Sequence, residues 1–482
     1  MSYYIGIDLG TSSIKLLLLS EAGVVATVSR DYPVDYPRPG WSEQNPQDWY
    51  DNAIDALEEI TRGIDKSQLR AISFSGQMHG LVMLDSDDNI LRPAILWNDG
   101  RTQKETDYLN NVIGKEKLLD WTGNIAFAGF TAPKILWVKE NEPALFARAA
   151  KFMLPKDYLA YRLTGEFCTD VSDASGTLYF DVANRQWSRE MLRILGIEEA
   201  QLPKVLESAQ ECGKLKADLA DCLGLPHDIS VKIGAGDNAA AAVGMGVTRG
   251  GACNISLGTS GTIFVVSDSF GCDRENAIHS FCSAGGNWHY MACMLSAASC
   301  HQWWVDAMDG DYAAVEALDD RLAGGEVLFL PYLMGERSPV NDAAVRGCFY
   351  GMTPAATRED MQLAILEGVA FALRQNLDII RQLGVQVERS GLCGGGAKSA
   401  IWAKILANVL GLRLDIPARE QGAALGAAFL AAQGVMDDAA YDALVAASTA
   451  VRETVEPDLE LAARYDAIYR RWLRMYPAVR NI

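Results

Sequence analysis

The chain opens on apolar positions from Tyr4 to Leu9, broken by Gly10-Thr11-Ser12 and resumed from Ile14 to Leu19. Two short apolar runs around a small-residue turn predict a β-hairpin. The pattern returns in mid-chain, where Ala252–Leu257 precedes Gly258-Thr259-Ser260 and Thr262–Val266 follows it. Aligned, DLGTSSIKLLLLS (8–20) and SLGTSGTIFVVSD (256–268) pair Gly10 with Gly258, Thr11 with Thr259 and Ser12 with Ser260. A looser echo follows each copy: Ala71–Ser75 is a strand-like run ending at Gly76, and Ser390–Cys393 ends at Gly394-Gly395-Gly396. Alanine-rich stretches, Asp237–Gly246 and Gln421–Ala432, then close each half. Self-similarity of this kind predicts two lobes of one plan, divided at 1–246 and 247–482.

Helical periods fill the intervals between strands. Asn45-Pro46 reads as an N-cap with proline at the first helical position, followed by Trp49, Ala53, Leu57 and Ile60 at helical spacing. Thr357 caps a long amphipathic run through Met361, Ile365, Val369, Leu373, Leu377 and Ile380. Residues 456–474 predict a surface helix. Strand-rich openings followed by alternating helices and strands imply an α/β fold.

The length of 482 residues exceeds one ordinary core and agrees with two domains. Hydrophobic residues at 49% and charged residues at 22% describe a soluble globular chain. A formal charge of −19 argues against nucleic-acid or anionic-membrane partners, which reward clustered Lys and Arg. MSYYIGIDLG shows no secretory pattern, and no apolar run approaches the ~20 residues of a membrane span. The ten cysteines form no C-x-x-C pair, which reads as reduced thiols in a cytoplasmic protein.

The small residues of the twin turns suit phosphate, because backbone N–H groups can approach its oxygens closely and hydroxyls add donors. Gly10, Thr11 and Ser12 would serve one side, and Gly258, Thr259 and Ser260 the other. Lys15, present in the first copy only, could add a positive charge or be an ordinary strand lysine. Asp8 stands where the second copy has Ser256, and a strand-end carboxylate beside a phosphate turn suits Mg²⁺; plain capping of the turn is the alternative. Asp237, in IGAGDNAAAAVG, follows the strand-like run Ile229–Ile233 and precedes an alanine-rich helix. The helix dipole would keep its carboxylate ionised, ready to accept a hydroxyl proton; plain capping is the alternative. SGQMHG (75–80) offers Gln77, Met78 and His79 to a polyol, and Trp97-Asn98-Asp99 could add an aromatic wall. Gly394-Gly395-Gly396 would open the helix 397–410 and receive adenosine or the α-phosphate at its N-terminus. No P-loop is present, and the Rossmann G-x-G-x-x-G context is missing.

Taken in order, these segments resemble the FGGY carbohydrate kinases over nearly the whole chain, and within that family its xylulokinase members. IGIDLGTSSIK and SLGTSGT look like the family's phosphate motifs, and SGQMHG with ILWNDGRT (95–102) is similar to the sugar loop. GFTAPKILWVKEN (129–141), LPKDYLAYRLTGEF (154–167), SDASGT (172–177), GCFYGM (347–352) and CGGGAKSAIW are also family-like. The resemblance implies two ribonuclease-H-like, actin-like ATPase lobes with a catalytic cleft between them. It implies ATP and Mg²⁺ as cosubstrates, Asp237 as base toward D-xylulose and Asp8 as essential near the metal. Gln77, Met78, His79, Trp97, Asp237 and Asn238 would bind the sugar. Thr11, Ser12, Lys15, Gly258, Thr259 and Gly394–Gly396 would bind the nucleotide, and a homodimer is common among relatives. Rival acceptors are L-ribulose, L-fuculose, gluconate and glycerol. A rival of another class is a noncatalytic actin-like ATPase module, which needs neither the sugar loop nor a base.

Overall fold

The computed structural model describes residues 2–275, 278–418 and 422–481. The opening run folds as β1 (Tyr3–Leu9) and β2 (Ser13–Ser20), an antiparallel pair with Asp8 opposite Lys15 and Leu9 opposite Ile14. β3 (Gly23–Asp31) follows antiparallel to β2, and β4 (Leu69–Gly76) runs parallel to β1 on its other side. With β5 (Glu211–Lys214) and β6 (Ser230–Lys232) the order becomes β5-β6-β4-β1-β2-β3, and β7 (Ala235–Gly236) pairs with the end of β4. Helices α1 (Pro46–Thr61), α2 (Pro155–Thr164), α3 (Val171–Ala174) and α4 (Asp237–Gly244) accompany these strands.

Period-2 alternation sorts the first sheet's side chains onto two buried faces. Ile5, Ile7, Leu9, Ile14, Leu16 and Leu18 join Trp49, Ala53, Leu57 and Ile60 of α1 in one core. Each such large side chain contributes about 1.5–3 kcal/mol by leaving water. Asn45 caps α1 as expected, its carboxamide oxygen accepting from Gln47 N at 3.2 Å. Tyr4, Leu17 and Leu19 face the opposite core with Ala239 and Ala240 of α4. Asp8, in phase with Tyr4, therefore stands on the α4 side.

The second copy repeats the plan with β8 (Cys253–Leu257) antiparallel to β9 (Gly261–Ser267) and parallel to β10 (Arg389–Cys393). β11 (Arg413–Pro417) runs parallel to β10, and β12 (Val451–Val455) runs antiparallel to β11. The register differs by one residue: Leu257 pairs with Gly261, whereas Leu9 pairs with Ile14 rather than Ser13. The duplication thus preserves topology but not the facing of every side chain. Helices α5 (Ala298–Ala307), α6 (Arg358–Gln382) and α7 (Ala400–Leu410) belong with this sheet. Thr357 and Asp360 form a reciprocal capping box at the start of α6.

The chain packs as two compact units. One comprises Met1–Thr248, Ser280–Trp288 and Gln421–Thr449; the other comprises Arg249–His279, His289–Glu420 and Ala450–Ile482. By packing, the second alanine-rich stretch goes with the first unit and not with the residues that flank it in sequence. Its described part, α8 (Gly422–Ala432), lies against α4 and β1 of the first unit; Gln421 falls outside the described residues. Small residues let the two helices touch backbone to backbone: a methyl on Gly426 would stand 1.7 Å from Ala240 O. Gly426→Val should therefore cost about 3 kcal/mol, since overpacking can be relieved only by parting the helices. Urea unfolding measures that loss. The expected surface helix near the C-terminus is α9 (Leu459–Trp472), whose Tyr465, Ile468, Tyr469 and Trp472 are buried in the second unit's core.

Candidate active site

In the first unit, the Gly10–Ser12 turn, the segment 75–80 and the start of α4 are tied together by hydrogen bonds. Gln77 N donates to Leu9 O at 2.8 Å as the chain leaves β4. Gln44 is the hub. Its Nε2 donates to Thr11 O (2.6 Å) and Pro33 O (3.0 Å), and its Oε1 accepts from Trp49 Nε1 (3.2 Å) and Gln77 Nε2 (3.1 Å). Two carbonyls on one side and an indole N–H on the other fix which way this amide faces. Gln77 must then turn its NH₂ toward Gln44 and Gly10 O, which leaves Gln77 Oε1 a buried acceptor without a partner among the described residues. Trp97, 43% exposed, donates from Nε1 to Thr11 Oγ1 at 2.9 Å. Its loop is held from below by Asp99, which accepts from Ser42 N and Arg101, and Arg101 lies 3.7 Å from the Trp41 ring centroid.

His79 adopts a left-handed backbone at φ 68°, a strained conformation for a side chain of this size. Its ring lies tilted against Phe130, centroids 4.8 Å apart, and Nδ1 lies 2.7 Å from Gly176 O. A carbonyl only accepts, so Nδ1 carries the hydrogen. The buried Lys134 donates to the carbonyls of His79, Gly129 and Phe130, and burial pushes its ammonium down to about 7. Met78 is buried, with Sδ 3.9 Å from Asn238 Nδ2.

Asp237 is the first residue of α4, after the cap residue Gly236, and is half-buried. Its Oδ1 accepts from Asn238 N (2.7 Å) and Asn238 Nδ2 (2.9 Å). Burial foremost, then the negative charge of Asp8, pushes its carboxyl up to about 7 against the pull of Asn238. The helix dipole thus does not keep this carboxylate in the ordinary acidic range, as position alone suggests; desolvation outweighs it. Asp8 Oδ1 accepts from Ser75 Oγ at 2.8 Å, and burial raises this carboxyl too, opposed by Ser75 and Lys15. No group of three or more His, Cys, Asp or Glu among the described residues could hold a metal ion unaided. One strand-end carboxylate fits a Mg²⁺ that arrives with nucleotide and takes most of its ligands from phosphate and water.

The second unit holds the other turn. Gly258 O accepts from Ala298 N (2.8 Å), and Thr259 O accepts from Ala297 N (2.9 Å) and Ser299 Oγ (2.8 Å), so α5 begins directly on the turn. Thr259 and Ser260 are exposed. Gly394 packs against the same turn at φ 92°, and a methyl there would stand 2.7 Å from Leu257 O. The glycines do not open an α-helix, contrary to expectation. Gly395–Lys398 is a 3-10 turn, and α7 starts after Ser399. Its N-terminus is already occupied by Glu316, which accepts from Ser399 Oγ (2.5 Å) and Ile401 N (3.1 Å). A shallow, open hollow of about 560 Å³ lies on the surface of α5, lined by Ser299, Gln302, Trp303, Asp306 and Ala307.

Models of the FGGY family of carbohydrate kinases match this chain over residues 3–244 (N-terminal domain) and 253–435 (C-terminal domain). The chain belongs to the FGGY family of carbohydrate kinases. It is 42% identical over 444 residues to a xylulose kinase of Klebsiella pneumoniae, covering 90% of this chain and 91% of that protein. It is similar to a crystal structure described as a xyloylose kinase from Brucella ovis, at TM-score 0.93, 40% identity and 99% of both chains. A gluconate kinase from Lactobacillus acidophilus gives TM-score 0.92 at 26% identity, covering 99% of this chain and 98% of that one. Membership makes this FGGY chain a sugar kinase that uses ATP. No helix among its described residues is long and apolar enough to cross a membrane.

Sequence reading missed Gln44, Lys134 and the α5 face of this FGGY chain, because each matters through partners far along the chain. Gln44 precedes a legible helix cap, and Lys134 lies in a family-like segment; neither signals a hydrogen-bond hub. Gln44→Ala would orphan Trp49 Nε1 and two backbone carbonyls, costing about 1–3 kcal/mol. It is also expected to raise KM for the sugar through Gln77 more than KM for ATP. Denaturant unfolding and steady-state kinetics check both.

Proposed function

We propose that this protein phosphorylates D-xylulose at its terminal hydroxyl with ATP, giving D-xylulose 5-phosphate and ADP. The observation that carries the reading is Asp237: a half-buried carboxylate, raised to about 7, opening α4 beside Met78 and Asn238 and within the field of Asp8. Such a group is matched to accept a hydroxyl proton near neutrality. The names of relatives that it resembles supply the acceptor.

Gln77, Met78, His79, Trp97 and Asn238 would bind and orient the ketose, with Gln77 Oε1 waiting for a hydroxyl donor. Asp237 takes the proton as the hydroxyl oxygen forms its bond to the γ-phosphorus. The bond from that phosphorus to the β–γ bridging oxygen breaks, and the electron pair leaves with ADP. Gly10, Thr11 and Ser12 supply backbone N–H groups and hydroxyls to phosphate oxygens, and Lys15 adds charge across from Asp8. Asp8 would hold Mg²⁺ through one carboxylate, and bound Mg²⁺ would neutralise charge on the β- and γ-phosphates. In the second unit, Gly258, Thr259 and Gly394–Gly396 would hold the nucleotide, with the Ser299–Trp303 face of α5 beside them.

A second reading keeps the chemistry and changes the acceptor. The likeness to a gluconate kinase shows that this architecture does not by itself choose the sugar. ADP release measured against D-xylulose, L-ribulose, L-fuculose, gluconate and glycerol tests both. A kcat/KM for D-xylulose at least tenfold above every other acceptor is expected; a higher value for gluconate would replace the first reading.

A further inference from the structure

A charged cluster lies buried in the first unit. Lys156, in the first turn of α2, places Nζ 2.8 Å from Asp157 Oδ1, 3.2 Å from Asp170 Oδ1 and 3.8 Å from Asp173 Oδ2, and all four side chains are essentially inaccessible. One cation among three carboxylates is expensive to bury, and a structural role alone would be filled at lower cost by apolar residues. The cluster has an outlet toward α4. Asp170 caps α3 and accepts at Oδ2 from Ser172 N (2.9 Å), Ser172 Oγ (2.5 Å) and Ser208 Oγ (2.7 Å). Ser172 Oγ in turn accepts from Gly236 N at 3.1 Å.

The polarity of this chain is set from the Lys156 end. Asp170 has Lys156, Ser172 N, Asp173 N and Ser208 Oγ around it, so it acts as an acceptor and the Ser172 hydroxyl must spend its hydrogen there. Its lone pairs are then left for Gly236 N, the cap residue one position before Asp237. We propose that Ser172 is a positioning residue for Asp237, and that Lys156 and Asp170 orient its hydroxyl for that task. The inference rests on Asp237 being the base. α3 is close to Asp237 by a second measure: Asp173, with no hydrogen-bond partner on either oxygen among the described residues, is pushed well up by burial and by acidic neighbours that include Asp237. α3 also leads into Gly176, whose carbonyl takes the hydrogen of His79 Nδ1. One short segment, SDASGT, thus supports the base from one side and the sugar loop from the other.

Ser208 provides the matched control, because Ser208→Ala removes one buried hydroxyl from the same Asp170 oxygen without touching Gly236. Ser172→Ala is expected to lower kcat by about tenfold to a hundredfold, the range for a catalytic group misplaced by up to an ångström. KM for D-xylulose and ATP should stay within about twofold, as a loss confined to the transition state requires. Ser208→Ala should lose similar thermal stability yet keep kcat within about twofold of wild type. Ser172→Cys, which keeps the volume with a weaker acceptor, is a second probe should the alanine variant not fold, and its kcat should fall several-fold below that of Ser208→Ala. Equal kcat in the Ser172 and Ser208 variants overturns the positioning role. Asp237→Ala measured alongside separates the two claims: if it keeps turnover the base assignment fails, and if it is inactive while Ser172 and Ser208 behave alike only the positioning role fails.

Discussion

Asp237→Asn is expected to lower kcat by about 10²–10⁴-fold, the usual worth of a general base, with KM for sugar and ATP little changed. The carboxamide keeps the size and one acceptor oxygen of the carboxylate, so the contacts from Asn238 N and Nδ2 can persist. What it cannot do is accept a proton. The variant should also be at least as stable as wild type at pH 8. Asp237 is raised above its ordinary value in the folded protein, so the fold binds this proton more tightly than the unfolded chain. The stability that tight binding contributes is complete below the ordinary aspartate range and is lost as pH rises through about 7. At pH 8 wild type bears the full cost of a desolvated charge, and asparagine does not. Steady-state kinetics with D-xylulose and a thermal melt on the same sample test both halves. Turnover within tenfold of wild type would remove the base assignment.

The second large effect is on the pH profile. With Asp237 at about 7, kcat/KM should fall on the acid side with an apparent pKa near that value. The sign follows from chemistry: the protonated carboxyl cannot take the hydroxyl's hydrogen, so activity drops about tenfold per pH unit below the midpoint. Two units down, near pH 5, roughly a hundredfold should be gone. An ordinary exposed aspartate in the same role would leave the profile flat over that interval. Initial rates from pH 5 to 9 at subsaturating sugar decide it, and a flat acid limb would mean that another group accepts the proton or that none is needed.

Much of the fold is legible locally. The two hairpins, α1 with its Asn45 cap and α6 with its Thr357 box follow from apolar period, turn residues and caps within ten or so positions of each other. Asp237 and Asp8 stand out for a related reason: the duplication exposes Asp8 against Ser256, and a carboxylate amid glycines and alanines is conspicuous. Other features were misread. Gly394–Gly396 looks like a helix opening, yet it packs on Leu257 while Glu316 caps the helix beyond. Asp237 looks dipole-stabilised, yet burial and Asp8 govern it.

Strand, turn and cap identity came from residues that are neighbours along the chain, so the order of residues was enough to establish two similar units, their hairpin turns and the residue types gathered at them. Which segments pack together came from folding: α8 joins the first unit because Gly426 can meet Ala240 backbone to backbone, and Gln44 and Lys134 acquire partners across tens of residues. The physical division lies between short-range torsional and periodic preferences, which a linear string displays. Desolvation and hydrogen-bond satisfaction depend on neighbours that only the folded chain supplies.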